Sequence, residues 1–236
     1  MVFTGNPGTG KTTVARIVGK MLKERGVLRI GAFHEHAGRD LCGRYVGETA
    51  PKTAGICRDA YGSVLFIDEA YSLYKEHSSA DYGTEALDTL IAEMENHRDD
   101  MVVIMAGYTD EMERLMNGNR GLASRMPYVI EFPNFTQDEL YHIFMSMVGK
   151  KFKYDADLPE VAKRFFDKLP DELVSSKDFS NARYARNLFE RTWAKAAMRC
   201  QLDNRSEVIL TVDDFERASG EGEFGTNKQN QSKMGF

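Results

Sequence analysis

The sequence predicts an α/β chain, with a mainly parallel five-stranded sheet flanked by helices and a small helical domain after it. Up to about Phe132, short apolar β-like runs alternate with helical segments, the pattern of a parallel sheet wrapped by crossover helices. A glycine-rich turn joins the first of these runs to an amphipathic stretch in FTGNPGTGKTTVARIVGKML. After Pro133 and Asn134 the sequence reads as helical until a short run at 208–210.

Strands are expected at residues 2–4, 32–36, 64–68, 102–106 and 128–132, and helices at about 11–25, 49–61 and 83–96. In the third helix Leu87, Leu90, Ile91 and Met94 recur at helical spacing and read as core. Thr136 followed by Glu139 forms a capping box that opens a helix to about Phe152. Ser180 is placed to cap another, whose Ala185, Leu188, Phe189, Thr192 and Ala196 share one stripe. The expected division is a large α/β domain at 1–132, a helical domain at 133–218 and a polar, glycine-rich, frayed tail at 219–236.

Bulk properties narrow the function classes. The 236 residues suffice for a large domain and a small one, each with its own core. Thirty-one Lys and Arg against 36 Asp and Glu leave a formal charge of −5, which argues against a protein that wraps nucleic acid. The longest apolar runs, such as 101–107, fall far short of the ~20 residues that cross a bilayer, and no charged-then-apolar leader precedes them. The expectation is a cytoplasmic protein with no membrane insertion. Cys42, Cys57 and Cys200 have no zinc or redox spacing and read as fillers in a reducing compartment, while His34 and His36 share a strand face with no third ligand near.

Gly5, Asn6, Pro7, Gly8, Thr9, Gly10, Lys11 and Thr12 match G-x-x-x-x-G-K-T between a strand and a helix, and Thr13 completes the candidate phosphate-binding set. Glycines let the backbone curl with its N–H groups inward, and the helix aims its positive end at the same spot. Lys11 would sit against the β and γ phosphates of ATP and the Thr12 hydroxyl would ligate Mg²⁺. The run VLFIDE is a buried strand ending in two carboxylates, where ligands bind in open α/β sheets. Asp68 can hold the Mg²⁺, and Glu69, pointing differently, can polarise the attacking water. No Asn/Thr-Lys-x-Asp element for guanine follows, so GTP is disfavoured.

With both motifs, a helical lid and Tyr45-Val46-Gly47 between them, the sequence resembles an AAA+ ATPase, a P-loop NTPase. The runs GNPGTGKTTVAR, GRYVGETAPKT, GSVLFIDEAYSLY, YGTEALDTLIAEMENHRDDMVVIMAGY and NARYARN are together similar to the CbbX/SpoVK-like (CfxQ) branch, which includes red-type Rubisco activases, sporulation proteins and a secretion ATPase. The similarity extends to about Ser219.

The resemblance implies a hexameric ring with ATP between subunits, and a pore loop at Tyr45, Val46 and Gly47 that grips an extended protein client. It implies an arginine finger reaching the neighbouring site, at Arg125 or at Arg120, with Arg125 the favoured choice; relatives often have another arginine where this chain has Ala123. It implies a lid arginine at Arg183 that senses the nucleotide, and a polar sensor after the fourth strand that falls on Thr109. Hydrolysis would then change the lid angle around Pro133 and move the pore loop. Family members contact adenine with a segment before the first strand, so the 236 residues are expected to be part of a longer protein and to bind ATP weakly alone. The alternatives are a nucleic-acid motor or loader, and a non-hydrolysing assembly scaffold.

Overall fold

The computed structural model describes residues 1–74, 82–202 and 207–221, in two compact units. Among these residues, one unit comprises 1–6 and 10–133 and the other the loop tip 7–9 and those from 134 to 221.

The first unit is built on five parallel strands, β1 (Val2–Gly5), β2 (Phe33–Ala37), β3 (Ser63–Asp68), β4 (Met101–Gly107) and β5 (Val129–Phe132), in the order β2-β3-β4-β1-β5. Each strand lies within one residue of its expected position. Among the described residues five α-helices join them: α1 (Lys11–Glu24), α2 (Thr49–Asp59), α3 (Tyr82–Asn96), α4 (Thr109–Gly118) and α5 (Arg120–Arg125).

Side-chain alternation explains why this sheet is covered on both faces. Along β3, Leu65 and Ile67 point to one side, where they join Leu41, Cys57, Leu87, Leu90, Met112 and Leu122. Val64 and Phe66 point to the other, with Phe3, Ile104, Ala15 and Leu28. Burial on both faces accounts for the unbroken apolar run in β3, which a half-exposed strand would not carry. Ile91 and Met94, the outer members of the expected core stripe of α3, are partly buried against the first cluster.

Helices α4 and α5 were not legible as separate elements. Asn119 links them and caps the second, its Oδ1 accepting from Leu122 N at 2.9 Å.

The second unit contains α6 (Gln137–Lys151), α7 (Leu158–Asp167), α8 (Asp171–Val174), α9 (Ala182–Leu202) and α10 (Val212–Ser219), with a two-stranded parallel pairing of β6 (Lys153–Tyr154) and β7 (Ile209–Leu210). The Thr136/Glu139 capping box opens α6 as expected. Two expectations need correction. Lys153–Tyr154 forms a strand where the sequence reads as helical, because pairing with Ile209–Leu210 satisfies its backbone. The residue before α9 is Asn181, not Ser180. Asn181 is buried at φ 52, a left-handed conformation that Asn tolerates better than most residues, and its Oδ1 accepts from Phe135 N at 2.9 Å. The stripe Ala185, Leu188, Phe189, Thr192 and Ala196 is buried as expected. Helix α10 includes Ser219, and 222–236, most of the expected tail, lies outside the described residues.

One ion pair closes the C-terminal part of this unit. The buried Asp214 carboxylate accepts from Arg199 Nε at 3.1 Å and Nη2 at 2.8 Å, and from Thr211 Oγ1 at 2.7 Å. Burial pushes its pKa upward, but the hydrogen bonds from Arg199 and Thr211 outweigh this and hold it below the usual carboxylate value. A carboxyl with a lowered folded-state pKa adds stability that is present above the unfolded pKa and lost as pH falls through the folded one. This unit should therefore lose stability as pH drops below about 4. Asp214→Asn should flatten that dependence and cost about 3 kcal/mol, read by chemical denaturation across pH 2–7; an unchanged acid limb would remove Asp214 from this role.

Candidate functional site

Parallel strands all end at one edge of their sheet, and the first unit gathers Gly5, Asn6, Gly10, Lys11, Thr12, Thr13, Asp68 and Glu69 of the sequence-predicted phosphate and metal residues there, while Pro7, Gly8, Thr9 and Arg183 belong to the second unit. Gly5 is the last residue of β1, and Lys11, Thr12 and Thr13 form the first turn of α1. Glycine at position 5 is obligatory for a steric reason. Its φ is 140°, and a Cβ there would lie 2.3 Å from Phe132 O. Gly5→Ala should cost about 2 kcal/mol and lower the thermal midpoint by roughly 4–8 °C; a midpoint within 1 °C or so of the parent would show that the loop absorbs the methyl group.

Gly10 at φ 97 turns the chain into α1. The N-cap residue, Gly10, has no side chain to offer and no acidic residue occupies the first turn, so the positive helix end suits an anion. Lys11 Nζ donates to Gly5 O and Asn6 O, each at 2.8 Å, folding the ammonium back over the loop. In the second unit, Pro7, Gly8 and Thr9 lie beside the start of α9, where Ala182 N donates to Gly8 O at 3.1 Å.

Asp68 ends β3, and Glu69 follows in a left-handed conformation at φ 49. For a non-glycine residue this costs on the order of 1–3 kcal/mol and persists only where neighbours enforce it. Here the buried strand on one side and the 3-10 turn Ala70–Leu73 on the other supply the constraint, and Glu69 N donates to Asp68 Oδ1 at 3.0 Å. The result sends the two consecutive carboxylates in different directions, with Asp68 half-buried and Glu69 exposed.

Strand order decides what lies between these groups. β4 pairs with β1 on one side and β3 on the other, so the residues that follow it emerge between the phosphate loop and the two carboxylates. Those residues are Tyr108, exposed, and Thr109, the first of α4. Tyr71 adds an aromatic group that sequence reasoning missed. Its ring lies 5.8 Å from that of Tyr108, and burial, with the negative charge of Glu69 next, pushes its phenol up to about 12. It therefore stays a neutral hydroxyl near the carboxylates. The aromatic run after Asp68 and Glu69 was the available signal.

Arg125 is at the other edge. β5 runs parallel to β1 with Val129 opposite Val2, so α5, just upstream, lies where the strands begin. Arg125 Nε donates to Glu95 Oε2 at 3.1 Å and Nη1 to Gly121 O at 3.1 Å, while Arg120 stands exposed at the other end of the same helix. Tyr45, Val46 and Gly47 occupy the loop before α2, with Tyr45 71% and Val46 87% exposed. Arg183 is the second residue of α9, exposed, in the second unit.

The donor set suits Mg²⁺, since Thr12 and Asp68 offer hard oxygen ligands. Among the described residues no group of three or more His, Cys, Asp or Glu is arranged as a metal site. No helix among the described residues is long and apolar enough to cross a membrane.

Comparison with known proteins agrees with this geometry. Residues 1–134 match the ATPase family associated with various cellular activities (AAA), and residues 136–224 match the AAA lid domain. The chain is 43% identical over 210 residues to chromosomal protein CbxX of Cupriavidus necator, covering 89% of this chain and 65% of that protein. It is 43% identical over 225 residues to protein CbbX of Cereibacter sphaeroides, covering 93% and 72%. A chloroplastic ribulose bisphosphate carboxylase/oxygenase activase of Cyanidioschyzon merolae is 43% identical over 199 residues, covering 84% and 67%. The chain thus spans about two thirds of the length of such relatives. A phosphate loop, strand-end carboxylates and a helical lid in this order, matched across both family regions, place the chain in the AAA ATPase family, within its CbbX/CfxQ branch.

Proposed function

We propose that this protein hydrolyses ATP with Mg²⁺ as a ring-forming ATPase and uses the energy to remodel a protein client through the loop Tyr45-Val46-Gly47. The observation that carries the client-gripping part is the exposure of Tyr45 and Val46, 71% and 87%, in the same unit as Lys11, Thr12 and the strand-end carboxylates. Burying either side chain would be favourable by about 1.5–3 kcal/mol, so displaying both on a loop makes sense where a client supplies the contact. An aromatic and an aliphatic group grip an extended chain by stacking and apolar contact, without reading its sequence.

In this reading the loop from Gly5 to Thr13 cradles the phosphates, with Lys11 on the β and γ groups. Thr12 and Asp68 would hold Mg²⁺, which neutralises charge on the phosphates. Glu69 polarises the attacking water and accepts its proton. Arg125 serves the neighbouring subunit, because its helix lies at the sheet edge opposite its own phosphate loop. Arg183 is assigned the lid contact to the nucleotide. The domains follow the same division, an ATP-binding domain at 1–132 and a lid at 133–218.

Inhibited Rubisco is the first client to assay, because a relative 43% identical is named as its activase. Tyr45→Ala should lower remodelling per ATP hydrolysed at least tenfold while nucleotide binding persists, measured as client activity regained per phosphate released. A variant that remodels at the parental ratio would refute the pore-loop reading, and a Glu69→Gln trap that captures a different client in pull-down would reassign the substrate.

A further inference from the structure

The exposed pair Tyr45-Val46 does not project from an unsupported loop. Glu48 N donates to Tyr45 O at 3.2 Å, closing a four-residue turn with Gly47 in its third position at φ 85, as a turn with positive φ there demands. Both Arg44 N and Tyr45 N donate to one oxygen of Glu48, Oε2, each at 3.2 Å. Below the turn, Gly43 N donates to the buried Thr49 Oγ1 at 3.0 Å, and Lys52 Nζ donates to Cys42 O at 2.8 Å.

Glu48 occupies the cap position of α2, yet its side chain makes no capping bond to that helix. The helix amide of Ala50 is served instead by Glu85 Oε1 of α3, at 3.4 Å. The Glu48 carboxylate is thereby left to turn backward and gather the amides of the loop that precedes it. Bonds from amides to an ionised carboxylate are stronger than neutral ones, and two on one oxygen restrain successive residues at the point where the aromatic side chain leaves the backbone.

We infer that Glu48 is a positioning residue that pre-orders the client-gripping loop, holding Tyr45 and Val46 outward against their tendency to collapse onto apolar surface. This rests on the pore-loop reading above. Ordering the loop before a client arrives spares that conformational entropy at binding, so Glu48 acts on client engagement without touching the client.

The test pairs two readouts on the 236-residue chain: amide hydrogen exchange at Arg44 and Tyr45, and retention of unfolded casein at ATP concentrations shown to saturate the chain. Glu48→Ala should speed exchange at both amides about tenfold, equivalent to ~1.4 kcal/mol, and lower casein retention about tenfold, as Tyr45→Ala does. Glu48→Gln, whose amide oxygen still accepts, should recover to within about threefold of the parent in both readouts. Unchanged exchange in Glu48→Ala, or full casein retention by Glu48→Ala where Tyr45→Ala loses it, would overturn the positioning role alone. A parent that does not retain casein, or a Tyr45→Ala variant that does, would take down the pore-loop reading and the positioning role with it.

Discussion

Glu69→Gln should lower steady-state ATP hydrolysis by about 10²–10⁴-fold, the contribution of a general base, while leaving nucleotide bound. The substitution keeps the shape of the side chain and removes only its ability to take a proton. The bond that orders the turn runs from Glu69 N to Asp68 Oδ1 and does not involve the Glu69 carboxylate, so the local fold survives the change. Phosphate release and retention of a fluorescent ATP analogue measure the two halves of this expectation. Undiminished turnover would remove Glu69 from its role.

The left-handed conformation offers a second signature at the same residue. Glycine adopts φ 49 without a Cβ penalty, so Glu69→Gly should gain up to about 1 kcal/mol of stability while losing turnover as Glu69→Gln does. Stability rising as activity falls is what a strained catalytic position produces, and it is not the behaviour of an exposed solubilising acid.

Arg125→Ala should lower hydrolysis by about 10³-fold, the scale on which a guanidinium delivered to the transferring phosphoryl group acts. Unfolding would not account for such a loss. The Arg125–Glu95 pair is partly exposed, 32% and 52%, and pairs of that kind contribute about 0–1 kcal/mol. On the proposed action between subunits, which the placement of α5 at the opposite sheet edge supports, a subunit lacking Arg125 should harm its neighbour's site and not its own. Mixing Arg125→Ala with Glu69→Gln chains should therefore restore part of the activity that each lacks alone, since some sites then combine an intact base with an intact finger. No recovery on mixing would refute action between subunits. Loss in Arg120→Ala with Arg125→Ala unaffected would move the finger to the other end of α5.

Much of this protein is legible because its chemistry is local. The phosphate loop is eight consecutive residues, and its curl is dictated by glycines at positive φ together with the helix that follows. Asp68 and Glu69 are readable because a doubly buried strand must be apolar throughout, so two carboxylates at its end stand out. The capping box at Thr136 and Glu139 is likewise a pattern within four residues. Missed elements were those without a local signature. The strand Lys153–Tyr154 exists only through its pairing with Ile209–Leu210, more than fifty residues away in the chain, and the short helix α5 depends on an asparagine cap that could equally mark a turn.

By itself, then, the sequence determined the sheet-and-lid class, the family and the residue types able to bind phosphate and metal, because these depend on periodicity and on neighbours along the chain. Only the tertiary structure decided that β4 lies between β1 and β3 and brings Thr109 out between loop and carboxylates. The same holds for Arg125 at the far edge of the sheet and for Glu48, turned back from α2 because Glu85 serves that helix instead. Each of these is a choice of partner among groups distant in sequence, made by strand order and by which hydrogen-bond donors remain to be satisfied.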